Sequence, residues 1–216
     1  MKENKENKEN KDNKADNLDK DNPLKNETTN NNLSNNNLIK NGAIPNISKP
    51  ILTPLSQITE NLYLGNLYDA QNIPYLLSIG IQKVLSLITD PQLLYYPKEI
   101  EHKLIKINDF PRENIIQYFG ECLLFIEDKR KTLVHCVAGA SRSATIVIAY
   151  IMWKNQLDYK ESAKFVEQIR PCINPNYGFV RQLQIFEKLL KQHKYNINTI
   201  NFKGITYPRF FEECCF

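Results

Sequence analysis

Residues 133–153 read Leu-Val-His-Cys-Val-Ala-Gly-Ala-Ser-Arg-Ser-Ala-Thr-Ile-Val-Ile-Ala-Tyr-Ile-Met-Trp, and this stretch decides the fold. Leu133-Val134 ends an apolar strand, and Ile146 to Trp153 is an unbroken apolar run of helical character. Between them lies a strand-to-helix turn. A turn of that kind aims successive backbone N–H groups inward, at the positive end of a helix dipole. Cys136 opens the loop, where such surroundings favour a thiolate, and Arg142 follows six positions later. A ring of N–H donors with a forked guanidinium fits a phosphate group, which Arg142 can hold through two oxygens where a lysine would act as a point charge.

The intervening residues agree. Val137, Ala138, Gly139, Ala140 and Ser141 are small or compact, so the backbone N–H groups from Val137 to Arg142 can close on a tetrahedral anion. Ser143 can donate a hydrogen bond to the Cys136 sulfur. The competing reading is a buried cysteine in a strand with an unrelated arginine at the next helix start, and the length and context of the string weigh against it.

HCVAGASRSAT resembles the signature of the cysteine-dependent protein phosphatases, HCxxGxxR followed by Ser or Thr, and most closely its dual-specificity branch, HCxAGxSRSxT. The similarity runs over roughly residues 57–192. Ile58 to Gly65 is similar to the family's opening strand, Gly80 to Leu87 to its GIxxVLNL segment, and Arg170-Pro171, Pro175-Asn176, Gly178-Phe179 and Gln182-Leu183 to RPxxxPNxGFxxQL. Ala144 replaces the proline common after SRS. No KNRY-like string of the tyrosine-specific enzymes is found, so the resemblance implies a shallow pocket open to phosphoserine, phosphothreonine and phosphotyrosine.

The chain has 216 residues and a net charge of +4, which suits one domain with tails and an anionic substrate but not nucleic acid. Its five cysteines show no pairing pattern and point to a reducing compartment. The longest apolar run, Ala144 to Trp153, is short for a bilayer span, and the polar N-terminus is unlike a secretory signal. Lys, Glu, Asp and Asn dominate residues 1–54, as in Asn30-Asn31-Asn32 and Asn35-Asn36-Asn37, and predict a disordered tail. Residues 55–193 form the expected catalytic domain and 194–216 a C-terminal tail, packed on the domain or frayed. Glu213 stands where a prenylation box needs cysteine, leaving lipidation of Cys214 and Cys215 as a separate option. The expected location is cytoplasmic, with the nucleus also open, and the expected state a monomer or weak dimer.

Strands are expected at Asn61–Leu64, Lys83–Ile88, Leu104–Ile107 and Leu133–His135. Helix faces are spelled by Ile115, Phe119, Cys122, Leu123 and Ile126, by Tyr159, Ala163, Val166 and Ile169, and by Phe179, Leu183, Phe186 and Leu190. The segment after the phosphate loop is apolar all round and predicts a central buried helix, with Trp153 as core. The alternation argues an α/β three-layer sandwich, its mostly parallel sheet of four to five strands flanked by helices, with the ligand loop between a strand and the buried helix.

Attack by Cys136 on a phosphate ester also calls for a proton donor to the leaving oxygen. Asp109 follows the strand through Ile107 and precedes the Pro111 loop, and it matches the family's general-acid position. Asp90 is the runner-up and Glu113 a weaker substitute, while Asp128 and Asp158 read as surface residues at helix ends. His135 reads as ordering the loop and tuning the sulfur, not as a base. Asn176 resembles the family's asparagine that ties a later loop to the phosphate loop, or it is a plain N-cap before Phe179. The chemistry as read calls for no metal or cofactor, and its partner is a phosphorylated protein, a kinase among the candidates. Alternatives are a phosphoprotein-binding scaffold with low activity, or hydrolysis of a phosphoinositide or an RNA 5′ end. Lipid enzymes usually carry lysines where Val137, Ala138, Gly139 and Ala140 stand, and RNA triphosphatases of this fold usually have Asn at Ser141.

Overall fold

The computed structural model describes residues 54–207, apart from Pro91 and Leu93. The expectations for the N-terminal tail and for Cys214 and Cys215 lie outside the described residues. Five strands form one sheet: β1 (Ser56–Gln57), β2 (Leu62–Gly65), β3 (Lys83–Leu87), β4 (Glu101–Ile105) and β5 (Thr132–His135), in the order β1-β2-β5-β3-β4. Only the β1·β2 pairing is antiparallel. The helices are α1 (Leu67–Gln71), α2 (Ile73–Ser78), α3 (Phe119–Glu127), α4 (Arg142–Asn155), α5 (Tyr159–Ile169) and α6 (Tyr177–Gln192).

Strand alternation sorts the side chains into two cores and so into three layers. Leu62, Leu64, Leu85, Leu87 and Val134 pack with α3, α4 and α6, through residues such as Phe119, Leu123, Ile148, Leu183 and Phe186. Tyr63, Val84 and Leu133 point the other way, onto Ala70 of α1 and Leu76 of α2. In α4 every residue from Arg142 to Met152 is buried, as expected of a helix apolar on all sides. Trp153 packs edge-on against Tyr150, and its indole N–H donates to the Tyr195 carbonyl at 2.9 Å.

Some boundaries differ from expectation. The strand expected at Leu104–Ile107 lies at Glu101–Ile105. It is an edge strand paired only with β3, so its first residues, Glu101 and His102, face solvent and carry no apolar signature. The paired strand β1 and the short helices α1 and α2 are too brief to show a period. Packing also continues beyond residue 193: Ile197, Ile200 and Phe202 are buried in the larger core, and Tyr207 is buried as well. Among the described residues no helix is long and apolar enough to cross a membrane.

Candidate active site

Central β5 delivers Cys136 at its carboxyl end, and α4 begins at Arg142. Between them the chain curls round the cysteine. The Gly139 N–H points at the Cys136 sulfur, 3.3 Å away, and the Ser143 hydroxyl donates to it at 3.2 Å. Gly139 has φ +69°, and a Cβ there would lie 2.4 Å from the Gly65 carbonyl oxygen, so only glycine allows the loop to pass so close to β2. The sulfur is buried, whereas Val137 and Ala138 are exposed at the mouth. Arg142 is also buried. Its Nη1 donates to the Ile107 carbonyl at 3.3 Å, its Nε stands 3.5 Å from a carboxylate oxygen of Asp109, and that Nε has no hydrogen-bond partner.

Asp109 therefore lies beside the loop, where a third of its side chain reaches solvent. Its Oδ1 accepts from the Ser141 hydroxyl at 2.6 Å and from the Asn176 amide nitrogen at 2.9 Å. Ser141 also accepts from the Asn176 backbone N–H at 3.2 Å, and the Asn174 N–H donates to the Ala140 carbonyl at 2.8 Å. The loop before α6 is thus tied to both the phosphate loop and the aspartate. The Asn176 amide oxygen caps α6 through the Phe179 N–H at 3.0 Å, while its side-chain nitrogen donates to Asp109 and not to the phosphate loop. Asp90 instead accepts from the Gln92 N–H in its own turn, and Glu113 accepts from Asn108. Asp158 caps α5, and Asp128 pairs with Arg130 and the buried Lys83.

Beneath the loop runs a polar chain that no sequence spacing announces. His135 Nδ1 faces the Cys136 carbonyl at 3.2 Å, and a carbonyl only accepts, so Nδ1 carries the proton. Nε2 then accepts from the Ser86 hydroxyl at 2.6 Å, and Ser86 accepts from His102 Nε2 at 2.8 Å. Burial, with repulsion from His102 and Arg142, pushes the His135 imidazole down to about 4 and keeps it neutral, against the opposing pull of the Cys136 carbonyl. Parallel pairing places Ser86 directly opposite His135, which a linear motif does not reveal. A second such residue is Arg170. It is fully buried, donates through Nε to the Gly139 carbonyl at 3.0 Å, and reaches the Pro54 carbonyl at 2.8 Å and the Ser56 hydroxyl at 3.2 Å through Nη1. Its place in the RP pair was legible in the sequence, but not this bracing of the loop.

A family profile described as "Dual specificity phosphatase, catalytic domain" matches residues 62–189. The chain is 37% identical over 137 residues to "Dual specificity protein phosphatase 22-B" of Danio rerio, a match spanning 62% of this chain and 74% of that protein. It is 34% identical over 143 residues to a "Probable rhodanese domain-containing dual specificity protein phosphatase" of Dictyostelium discoideum, but spans only 30% of that longer relative and 64% of itself. Among solved structures, the crystal structure of DUSP15 superposes with a TM-score of 0.59 at 34% identity, covering 66% of this chain and 96% of the other.

Proposed function

Given that this chain belongs to the dual specificity phosphatase family, we propose that it hydrolyses phosphotyrosine and phosphoserine or phosphothreonine in phosphoproteins, through a phosphocysteine intermediate. One observation carries the reading: a sulfur receiving the Gly139 N–H and the Ser143 O–H lies in the same loop as a buried arginine whose Nε lacks a hydrogen-bond partner. That donor stands 3.5 Å from the Asp109 carboxylate, longer than a charge-assisted hydrogen bond, so its hydrogen-bonding capacity is left for a second anion.

The residues divide the work as follows. Arg142 and the backbone N–H groups from Val137 to Arg142 hold the phosphoryl oxygens, with Ala138, Gly139, Ala140 and Ser141 forming the wall. The Cys136 thiolate attacks phosphorus in line. The ester P–O bond breaks, and Asp109 gives its proton to the leaving oxygen. Ionised Asp109 then takes a proton from water as that water attacks the phosphocysteine, and the S–P bond breaks with Ser143 donating to the departing thiolate. Stabilisation by oriented donors supplies most of the barrier reduction. His135, locked in one tautomer, orients the Cys136 carbonyl, and Asn176 with Ser141 holds Asp109 over the loop.

Turnover of an aryl phosphate and of phosphotyrosine and phosphothreonine peptides tests the proposal. Cys136→Ser abolishes it, because a serine hydroxyl is far too basic to ionise here, and Arg142→Lys loses nearly as much, because the two-oxygen contact is not rebuilt. A binding scaffold would show phosphopeptide affinity with no turnover in the unaltered chain. More than a few per cent of activity in either variant overturns the mechanism.

A further inference from the structure

The mouth of the phosphate loop is bordered by exposed aromatic groups on the Asp109 side. Phe110 is 62% exposed and Tyr177 61% exposed. They are the chain neighbours of Asp109 and Asn176, which are hydrogen-bonded to each other at 2.9 Å, so the two rings flank the same junction. Together with Pro111, Arg112 and Glu113 they line a cavity of about 550 Å³.

Hydrogen bonds and a close backbone contact tie the walls of this cavity together. The Glu113 N–H closes a turn on the Phe110 carbonyl at 3.0 Å, and the Glu113 carbonyl accepts from buried Gln182 at 2.8 Å. Gly178 abuts Pro111 so closely that a Cβ would lie 1.9 Å from the Pro111 oxygen. The Glu113 carboxylate is held by Asn108 at 2.8 Å. Arg112 is exposed and has no ion pair or hydrogen bond among the described residues. A cavity walled by two rings and Pro111, with the Arg112 guanidinium at its rim and the Glu113 carboxylate turned to Asn108, suits a ligand that is apolar with an adjoining anion placed at Arg112.

We propose that this cavity is a specificity subsite for the substrate chain beside its phosphorylated residue. The occupant is an acidic phosphopeptide segment: an aromatic or aliphatic side chain lies between Phe110 and Tyr177, and a neighbouring carboxylate or second phosphate meets Arg112. With the phosphate seated over Cys136, the recognised residues are those flanking the phosphorylated one on the Asp109 side. The proposal rests on the phosphoester reading of the loop and adds the substrate class.

The experiment measures fluorescence anisotropy of labelled phosphopeptides with the Cys136→Ser protein, in four flank types: Phe with Glu, Phe with phosphoserine, Ala with Glu, and Phe with Lys. The Phe-Glu and Phe-phosphoserine peptides should each bind at least about fivefold more tightly than the Phe-Lys peptide at low salt, with the margin shrinking as salt rises; the better of the two identifies the anion. Arg112→Glu in the same background should reverse the order, Arg112→Lys should keep it, and Tyr177→Ala should cut the advantage of Phe over Ala about tenfold. Equal affinity across flanks, or an order unchanged in Arg112→Glu, overturns the subsite. Turnover of a small aryl phosphate by the unaltered chain is measured beside it. Turnover without flank selectivity overturns the subsite alone, and selectivity without turnover overturns the catalytic reading alone.

Discussion

At Asp109 one carboxylate oxygen accepts from both Ser141 and Asn176, while the other stands 3.5 Å from the Arg142 Nε. Asparagine at that site keeps an oxygen for Ser141 and Asn176 but has no proton to give. Asp109→Asn should therefore slow phosphothreonine hydrolysis by about 10²- to 10⁴-fold, and an activated aryl phosphate much less, since its phenoxide leaves with little help. Rate against pH for both substrates, with Asp90→Asn alongside, checks this; leaving-group dependence in Asp90→Asn would move the acid there. His135 yields a stability prediction. Its folded value is pushed down to about 4 from an ordinary 6.5, so between those pH values the unfolded chain takes up a proton that the folded chain refuses. The contribution is fully present above pH 6.5 and drains away as pH falls toward 4, by at most about 3 kcal/mol. Urea denaturation at pH 7.5 and 4.5 should show a shallower acid loss in His135→Asn than in the unaltered chain; equal losses would mean other groups set the acid limit.

Elements hold the site through close approaches that sequence patterns do not record. The start of α6 lies directly on the turn that carries Asp109, and the contact is backbone to backbone at Gly178. Gly178→Ala should force the two apart, with a cost of about 1–3 kcal/mol. The shift should be seen as a lower melting temperature and as a loss on phosphothreonine larger than that on an aryl phosphate. Loss of stability with an unchanged substrate ratio would show that the turn moves independently of α6. Here lies the boundary of what the chain order discloses. Cys136, Gly139, Arg142 and Ser143 sit within eight consecutive residues, and α4 declares itself by apolar length. Asp109 is reachable because it follows a strand. Ser86, His102 and the contacts of Arg170 are assembled across parallel strands or distant loops, where side chains meet at separations that leave no periodic trace. The edge position of β4 likewise removes the alternation that would have located its start.

Over the whole molecule, packing sets where the chain can be shortened. Phe202 stacks on Gly120, whose added Cβ would lie 2.6 Å from the ring, and it touches Phe186 with centroids 5.9 Å apart. Ending the chain at residue 193 removes Phe202 together with Ile197 and Ile200, and Phe202→Ala alone should cost about 3 kcal/mol; thermal melts of both variants measure it. Removing residues 1–50 should leave aryl phosphate turnover unchanged, since that composition offers nothing to a packed site. Removing residues 1–57 is a different operation. It deletes the Pro54 carbonyl and the Ser56 hydroxyl that meet Arg170, and leaves a buried guanidinium short of acceptors, a defect of about 3–5 kcal/mol. In mechanical terms, Arg170 is a tie rod: one end is pinned to Pro54 and the other to the Gly139 carbonyl. The entry segment ahead of β1 and the catalytic loop therefore share one buried guanidinium, so a change that frees Pro54 withdraws a support from the Gly139 carbonyl as well.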